Sequence, residues 1–117
     1  MTSRKMQVGR LGENAACEWY ETNGYKVAAR NWRVPEGEID LIAVDANGTT
    51  VVFCEVKTRT TSAFGSGAEA VTWRKQKQVR KLALLWLQHS DEHFDELRFD
   101  VADVDGEGHV VVIEGCF

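Results

Sequence analysis

The sequence predicts an α/β fold: a mixed β-sheet with helices packed on it, in the order α-β-β-β-α-β-β. Three observations predict it. Two stretches carry apolar residues at helical spacing, one near the N-terminus and one in the second half. Asn47-Gly48 separates two strand-like runs, "EIDLIAVD" and "TTVVFCEVKT", as a hairpin turn does. The second helical stretch lies between two strands, and a strand–helix–strand unit implies a parallel, right-handed crossover.

The elements follow in order. From about Arg4 to Asn23, Val8, Leu11, Ala15, Ala16, Trp19 and Tyr20 form one apolar stripe, and Gly24 stands where a helix stops. Gly9 and Gly12 lie inside this helix at a cost in stability, which close packing against a neighbour would explain. "YKVAAR" reads as a short strand and "NWRVPEG" as a turn or loop. If Asn47-Gly48 forms a type I′ turn, Ala46 faces Thr49, and the same register sets Asp40 opposite Glu55 and Glu38 opposite Lys57. "TSAFGSGAEA" is small, polar and glycine-rich, hence a loop. Thr72 is a plausible cap for a helix from about Trp73 to Gln88, with Val79, Leu82, Ala83 and Trp86 as its stripe. "LRFDVADV" and "HVVVIE" read as the last two strands around a "DGEG" turn.

Composition narrows the classes. The 117 residues suit one domain, 1–117, and 44% apolar with 27% charged residues is ordinary for a soluble protein. No apolar run approaches the roughly 18 residues of a membrane span. The basic start "MTSRKMQVGR" has no apolar stretch after it, so a cytoplasmic protein without a secretory signal is expected. Cys17, Cys54 and Cys116 are odd in number and widely spaced, which fits neither a disulfide framework nor a zinc site. His89 and His93 straddle a polar segment at a helix end and read as solvated. The net charge of −4 argues against a nucleic-acid binder, but residues 1–90 hold 13 Lys/Arg against 9 Asp/Glu, and residues 91–117 hold one Arg against 9 acids. The first 90 residues can therefore carry a basic face.

The hairpin register carries the chemistry. It places Asp40 and Glu55 on one face with Cβ atoms about 4.5–5.5 Å apart. Two carboxylates there need a shared proton, a basic neighbour or a bound cation. Hard oxygen donors would select Mg²⁺, Mn²⁺ or Ca²⁺ over zinc. Lys57, two residues past Glu55, shares that face. Its ammonium could orient or deprotonate a water, or stabilise charge on a phosphate, which suits phosphodiester hydrolysis. The plain alternative is a solvated strand end with a Glu38–Lys57 surface pair.

The pattern "GEIDLI", hairpin, "FCEVKTR" resembles the PD-(D/E)xK nuclease superfamily. In detail the chain resembles the YraN-like family of small bacterial proteins related to Holliday-junction resolvases. The likeness runs through "GRLGENAACEWYETNGYKV", "NWRVPEGEIDLIAVD", "VVFCEVKTR", "FGSGAEAVTWRKQKQVRKLALLWL" and "LRFDVADV". The resemblance implies a restriction-endonuclease-like sheet, a Mg²⁺ or Mn²⁺ cofactor, Asp40 and Glu55 as metal ligands, and Lys57 as the catalytic lysine. It also implies that Glu13, from the N-terminal helix, joins the site, and that the Val56 carbonyl touches the metal. One departure is Ser-Gly in "FGSGAEAV" where the family pattern has a proline.

Basic residues suggest the substrate. Arg74, Lys77 and Lys81 share a helix face by spacing, and no acid lies between Ala70 and Ser90. With Arg59 and Arg33 they form a candidate phosphate-binding set, which Arg30 and Arg4-Lys5 would extend. No base-reading motif is present, so recognition by shape is expected over sequence; the resemblance implies junction DNA, and DNA over RNA. A homodimer would suit a two-fold junction. Trp32 and Trp73 could stack on bases or serve the core, and Arg98–Asp100 reads as a structural ion pair. A non-catalytic nucleic-acid-binding module, and a protein-interaction module using the acidic C-terminal segment, are the competing readings.

Overall fold

A computed structural model describes residues 4–59 and 71–117, with side chains from Arg10 onward. Residues 60–70, which hold most of "FGSGAEAV", and the Arg4 and Lys5 side chains lie outside the described residues. The order α-β-β-β-α-β-β is the one expected: α1 (Arg4–Thr22), β1 (Lys26–Val34), β2 (Gly37–Val44), β3 (Thr50–Thr58), α2 (Trp73–His89), β4 (Glu96–Val104) and β5 (Val110–Ile113). The strands form one sheet in sequence order. Among the described residues only β3 and β4 run parallel, joined through α2, and the other neighbours are antiparallel.

The helices cover opposite faces. Under α1, Ala16, Cys17 and Tyr20 pack with Leu41, Ala43, Val52, Cys54 and Ala102. Under α2, Val79, Leu82 and Ala83 pack with Ile39, Ile42, Val51, Phe53 and Phe94. A central strand buried on both sides reads as the near-continuous apolar run "TVVFC". Thr72 caps α2 as expected, its hydroxyl accepting from the Lys75 N–H at 3.2 Å. Gly12 lets α1 approach β3: a Cβ there would lie 2.0 Å from Thr58 Oγ1.

Two local expectations need correction. The β2–β3 register is the expected one, with Val44 opposite Val51 and Leu41 opposite Cys54. The turn, however, is not type I′, because only Gly48 has positive φ (73°). The Gly48 N–H instead bonds the Asp45 carbonyl at 3.0 Å. Asp45 carboxylate oxygens take Thr49 N–H (2.8 Å), Thr49 Oγ1 (3.0 Å) and Thr50 N–H (3.1 Å). This four-residue loop closed by Asp45 keeps the register. The second correction concerns β1, which continues through "NWRV" to Val34, leaving Pro35 and Glu36 as the turn.

Candidate active site

The sheet forks where the acids stand. Pairing between β2 and β3 ends at Leu41–Cys54. Beyond it, β2 continues against β1 as far as Gly37, and β3 continues against β4 as far as Thr58. Asp40 and Glu55 are the first residues past the fork, one on each prong. Glu38 consequently pairs with Arg33 on β1 and not with Lys57 on β3.

Strand alternation slips at the same point. Ile39 packs in the α2-side core and Leu41 in the α1-side core, although a regular strand puts both on one face. Opposite the slip, Asn31 holds φ at 50°, a left-handed conformation that asparagine tolerates better than most residues. Asp40 reaches across the fork, and its Oδ2 accepts the Val56 N–H at 2.9 Å. Burial raises the Asp40 pKa, the Val56 N–H opposes that rise, and Glu13 and Glu38 add to it.

Glu55 keeps phase with Val51 and Phe53, so it faces α2. It is 3% exposed. Its Oε2 lies 3.7 Å from Lys75 Nζ, on the first turn of α2. Its Oε1 has no hydrogen-bond partner among the described residues. Burial and the neighbouring Asp40 push the Glu55 pKa up to about 7, against the pull of Lys75 and Lys57. Of the three ways to offset the facing carboxylates, the fold supplies a basic neighbour and a tightened hold on the proton. Lys57 stands on the same face, half-buried, where its charge acts on Glu55.

Glu13 approaches from the α1 side. Asn31 Nδ2 donates to its Oε2 at 2.9 Å, and Arg30 Nη2 lies 4.0 Å away. Its charge acts on Asp40. Among the described residues, however, no three His, Cys, Asp or Glu side chains stand together as a metal-holding set. In this geometry the Asn31 amide and Arg30 engage the Glu13 carboxylate.

The basic residues divide. Arg74, Lys77 and Lys81 are exposed on α2, and Lys77 Nζ lies 5.7 Å from the centre of the exposed Trp73 ring. Arg59 is not part of that face. Its guanidinium grips Asp103 through Nε (2.9 Å) and Nη2 (2.6 Å), a bidentate pair that assigns it to the sheet. Arg33 is exposed but bound to Glu38. Trp32 packs at the edge of the α2-side core near His89. Arg98 and Asp100 form the expected structural pair, joined by Tyr20 and the Gly115 N–H.

Reasoning from sequence missed Lys75 and Asn31. Lys75 had a signal: it stands four residues before Val79 and seven before Leu82, in line with the buried stripe of α2. Asn31 had none, since one left-handed residue inside a strand leaves no pattern.

What the fold and fork define is a small mixed α/β domain with a buried acid–lysine site at a parted hairpin. By sequence, the chain belongs to the family described as "Uncharacterised protein family UPF0102", whose pattern matches residues 12–104. That span holds Glu13, Asp40, Glu55, Lys57 and Lys75. A UPF0102 protein of Beutenbergia cavernae is 49% identical over 100 residues, covering 86% of this chain and 83% of the relative. One of Mycolicibacterium smegmatis is 49% identical over 100 residues, covering 86% and 81%. One of Mycobacterium tuberculosis is 45% identical over 103 residues, covering 88% and 80%. Among the described residues no helix is long and apolar enough to cross a membrane.

Proposed function

We propose that this protein is a metal-dependent nuclease of the PD-(D/E)xK type, on a restriction-endonuclease-like sheet, hydrolysing phosphodiesters in branched or junction DNA. One observation carries the reading: Glu55 is buried beside Asp40 with a carboxylate oxygen left unpartnered. A buried acceptor in that state is costly and rare. Placed at a parted hairpin between two lysines, it fits a ligand waiting for its cation.

Asp40 and Glu55 offer hard oxygen donors. Mg²⁺ or Mn²⁺ suits them, because such ions are commonly held by one or two carboxylates, waters and substrate phosphate oxygens. When bound, the ion supplies Lewis-acid polarisation of the phosphate and a more acidic water. The Val56 carbonyl, on the residue whose N–H holds Asp40, is the backbone donor that the resemblance implies. Lys57 orients the attacking water or neutralises charge developing on the phosphate. Arg74, Lys77 and Lys81 provide a phosphate-binding face without base reading, and exposed Trp73 offers a ring on which a base can stack. A homodimer would place two such sites on a two-fold junction.

A cleavage assay with Mg²⁺ or Mn²⁺ on linear, flapped and four-way DNA tests this. Wild type should cut branched DNA, and Glu55→Gln/Lys57→Ala should not. Equal behaviour of the two would sink the proposal. The engagement of Glu13 by Asn31 and Arg30 favours a second reading, a non-catalytic nucleic-acid-binding module on the same scaffold. It expects salt-sensitive DNA binding, no cleavage with any divalent ion, and binding retained in Lys57→Ala.

A further inference from the structure

Helix α2 begins against the usual electrostatics of helix ends. Its first turn has no acid. Arg74, Lys75 and Lys77 instead crowd the end whose dipole disfavours cations. Arg74 and Lys77 face solvent, where such a placement costs little. Lys75 does not: it lies on the line of Val79 and Leu82, the stripe that α2 buries. A flexible, strongly hydrated ammonium in that position requires a local reason.

The reason is on β3. Lys75 Nζ ends 3.7 Å from Glu55 Oε2, with the Lys75 side chain 34% exposed and the Glu55 side chain 3% exposed. Its charge also reaches Asp40. Lys57 is the other lysine whose charge acts on Glu55. Lys75 is thus held by the same carboxylate whose second oxygen has no partner.

We infer that Lys75 is an internal counter-ion, standing in the cation's place beside Glu55, and that a divalent metal must displace it to bind. The inference rests on reading Asp40 and Glu55 as the metal pair. Lys75 is a positioning residue in this scheme: it keeps the two acids together in the metal-free protein. On release, its four-carbon stem carries the ammonium to the lip of the fork, beside Arg74 and Lys77, where a substrate phosphate can receive it. Ammonium and metal compete for one carboxylate, and a phosphate resolves the competition by giving the ammonium a new partner.

Calorimetric titration with Mn²⁺ alone tests this on wild type, Lys75→Met and, as a control for loss of one surface charge, Lys26→Met. Lys75→Met should bind Mn²⁺ about ten-fold more tightly than wild type, because no ammonium has to leave. Lys26→Met should match wild type. Thermal melts should show Lys75→Met below wild type without metal and the gap closed at saturating Mn²⁺. A merely structural lysine would leave that gap open and the affinity unchanged. Should Lys75→Met fail to fold, Lys75→Gln takes its place with the same expectation. Equal or weaker binding by the neutral variant, with wild type binding, overturns the counter-ion and spares the metal pair. No Mn²⁺ binding by either protein overturns both.

Discussion

Two buried acids lie on opposite faces of this sheet, and they could hardly be treated more differently. Asp100, on the α1 side, is 0% exposed. Its oxygens accept from Tyr20 Oη (2.6 Å), Arg98 Nε and Nη2 (2.9 Å each) and the Gly115 N–H (3.0 Å). Glu55, on the α2 side, has one ammonium at 3.7 Å and one oxygen with no partner. Burial is the same, but satisfaction is not. Asp100 holds the fold together, whereas Glu55 is tolerated by the fold, and that difference marks the site.

The contrast breaks first at Asp100. Asp100→Ala strands Arg98 and the Tyr20 hydroxyl, and should cost about 3–5 kcal/mol of stability in urea unfolding. Glu55→Gln at pH 8 should cost little or nothing in the same measurement. On activity the order reverses. Glu55→Gln/Lys57→Ala should lower the cleavage rate by about 10³-fold or more, read in single-turnover assays on branched DNA.

Smaller effects sharpen the comparison. Gly12→Ala drives a methyl into Thr58 beneath α1, and should cost about 1–3 kcal/mol by overpacking. The pH dependence of Glu55 carries the comparison to protonation. Its folded-state pKa of about 7 lies above the ordinary 4.5, so the folded protein holds this proton more tightly than the unfolded chain. The stabilisation is fully present below about 4.5 and is lost as pH rises through about 7. The raised Asp40 works in the same direction. Melting temperatures across pH 4–8 should therefore rise for Glu55→Gln relative to wild type as pH increases. A difference that is flat with pH would contradict the assignment.

Much of this was legible in the sequence. The register that brings Asp40 near Glu55 could be read because a turn centred on Asn47-Gly48 fixes which residues face each other, and the observed loop is centred on the same pair. The turn type could not, because the Asp45 side chain, and not the Asn-Gly pair, closes the loop. The stripes of α1 and α2 exposed their cores, whereas Lys75, one turn before the α2 stripe, was missed. The fork was hidden: "GEIDLIAV" is an unbroken strand pattern, and nothing in it says that β2 pairs with β1 along its whole length but with β3 only from Leu41 onward. The Arg59–Asp103 pair could not be read, because Asp103, 44 residues away in sequence, becomes a neighbour only through the parallel β3–β4 pair. Glu13 was placed near the site by resemblance, but its present partners, Asn31 and Arg30, depend on β1 running on through "NWRV".

The most direct test of Glu55 as a site acid, not a structural one, is equilibrium unfolding of wild type and Glu55→Gln at pH 8, with and without Mn²⁺. Without metal the variant should be at least as stable as wild type, and Mn²⁺ should stabilise wild type alone. A variant weakened as an Asp100 variant would be, with Mn²⁺ affecting neither protein, would contradict the account.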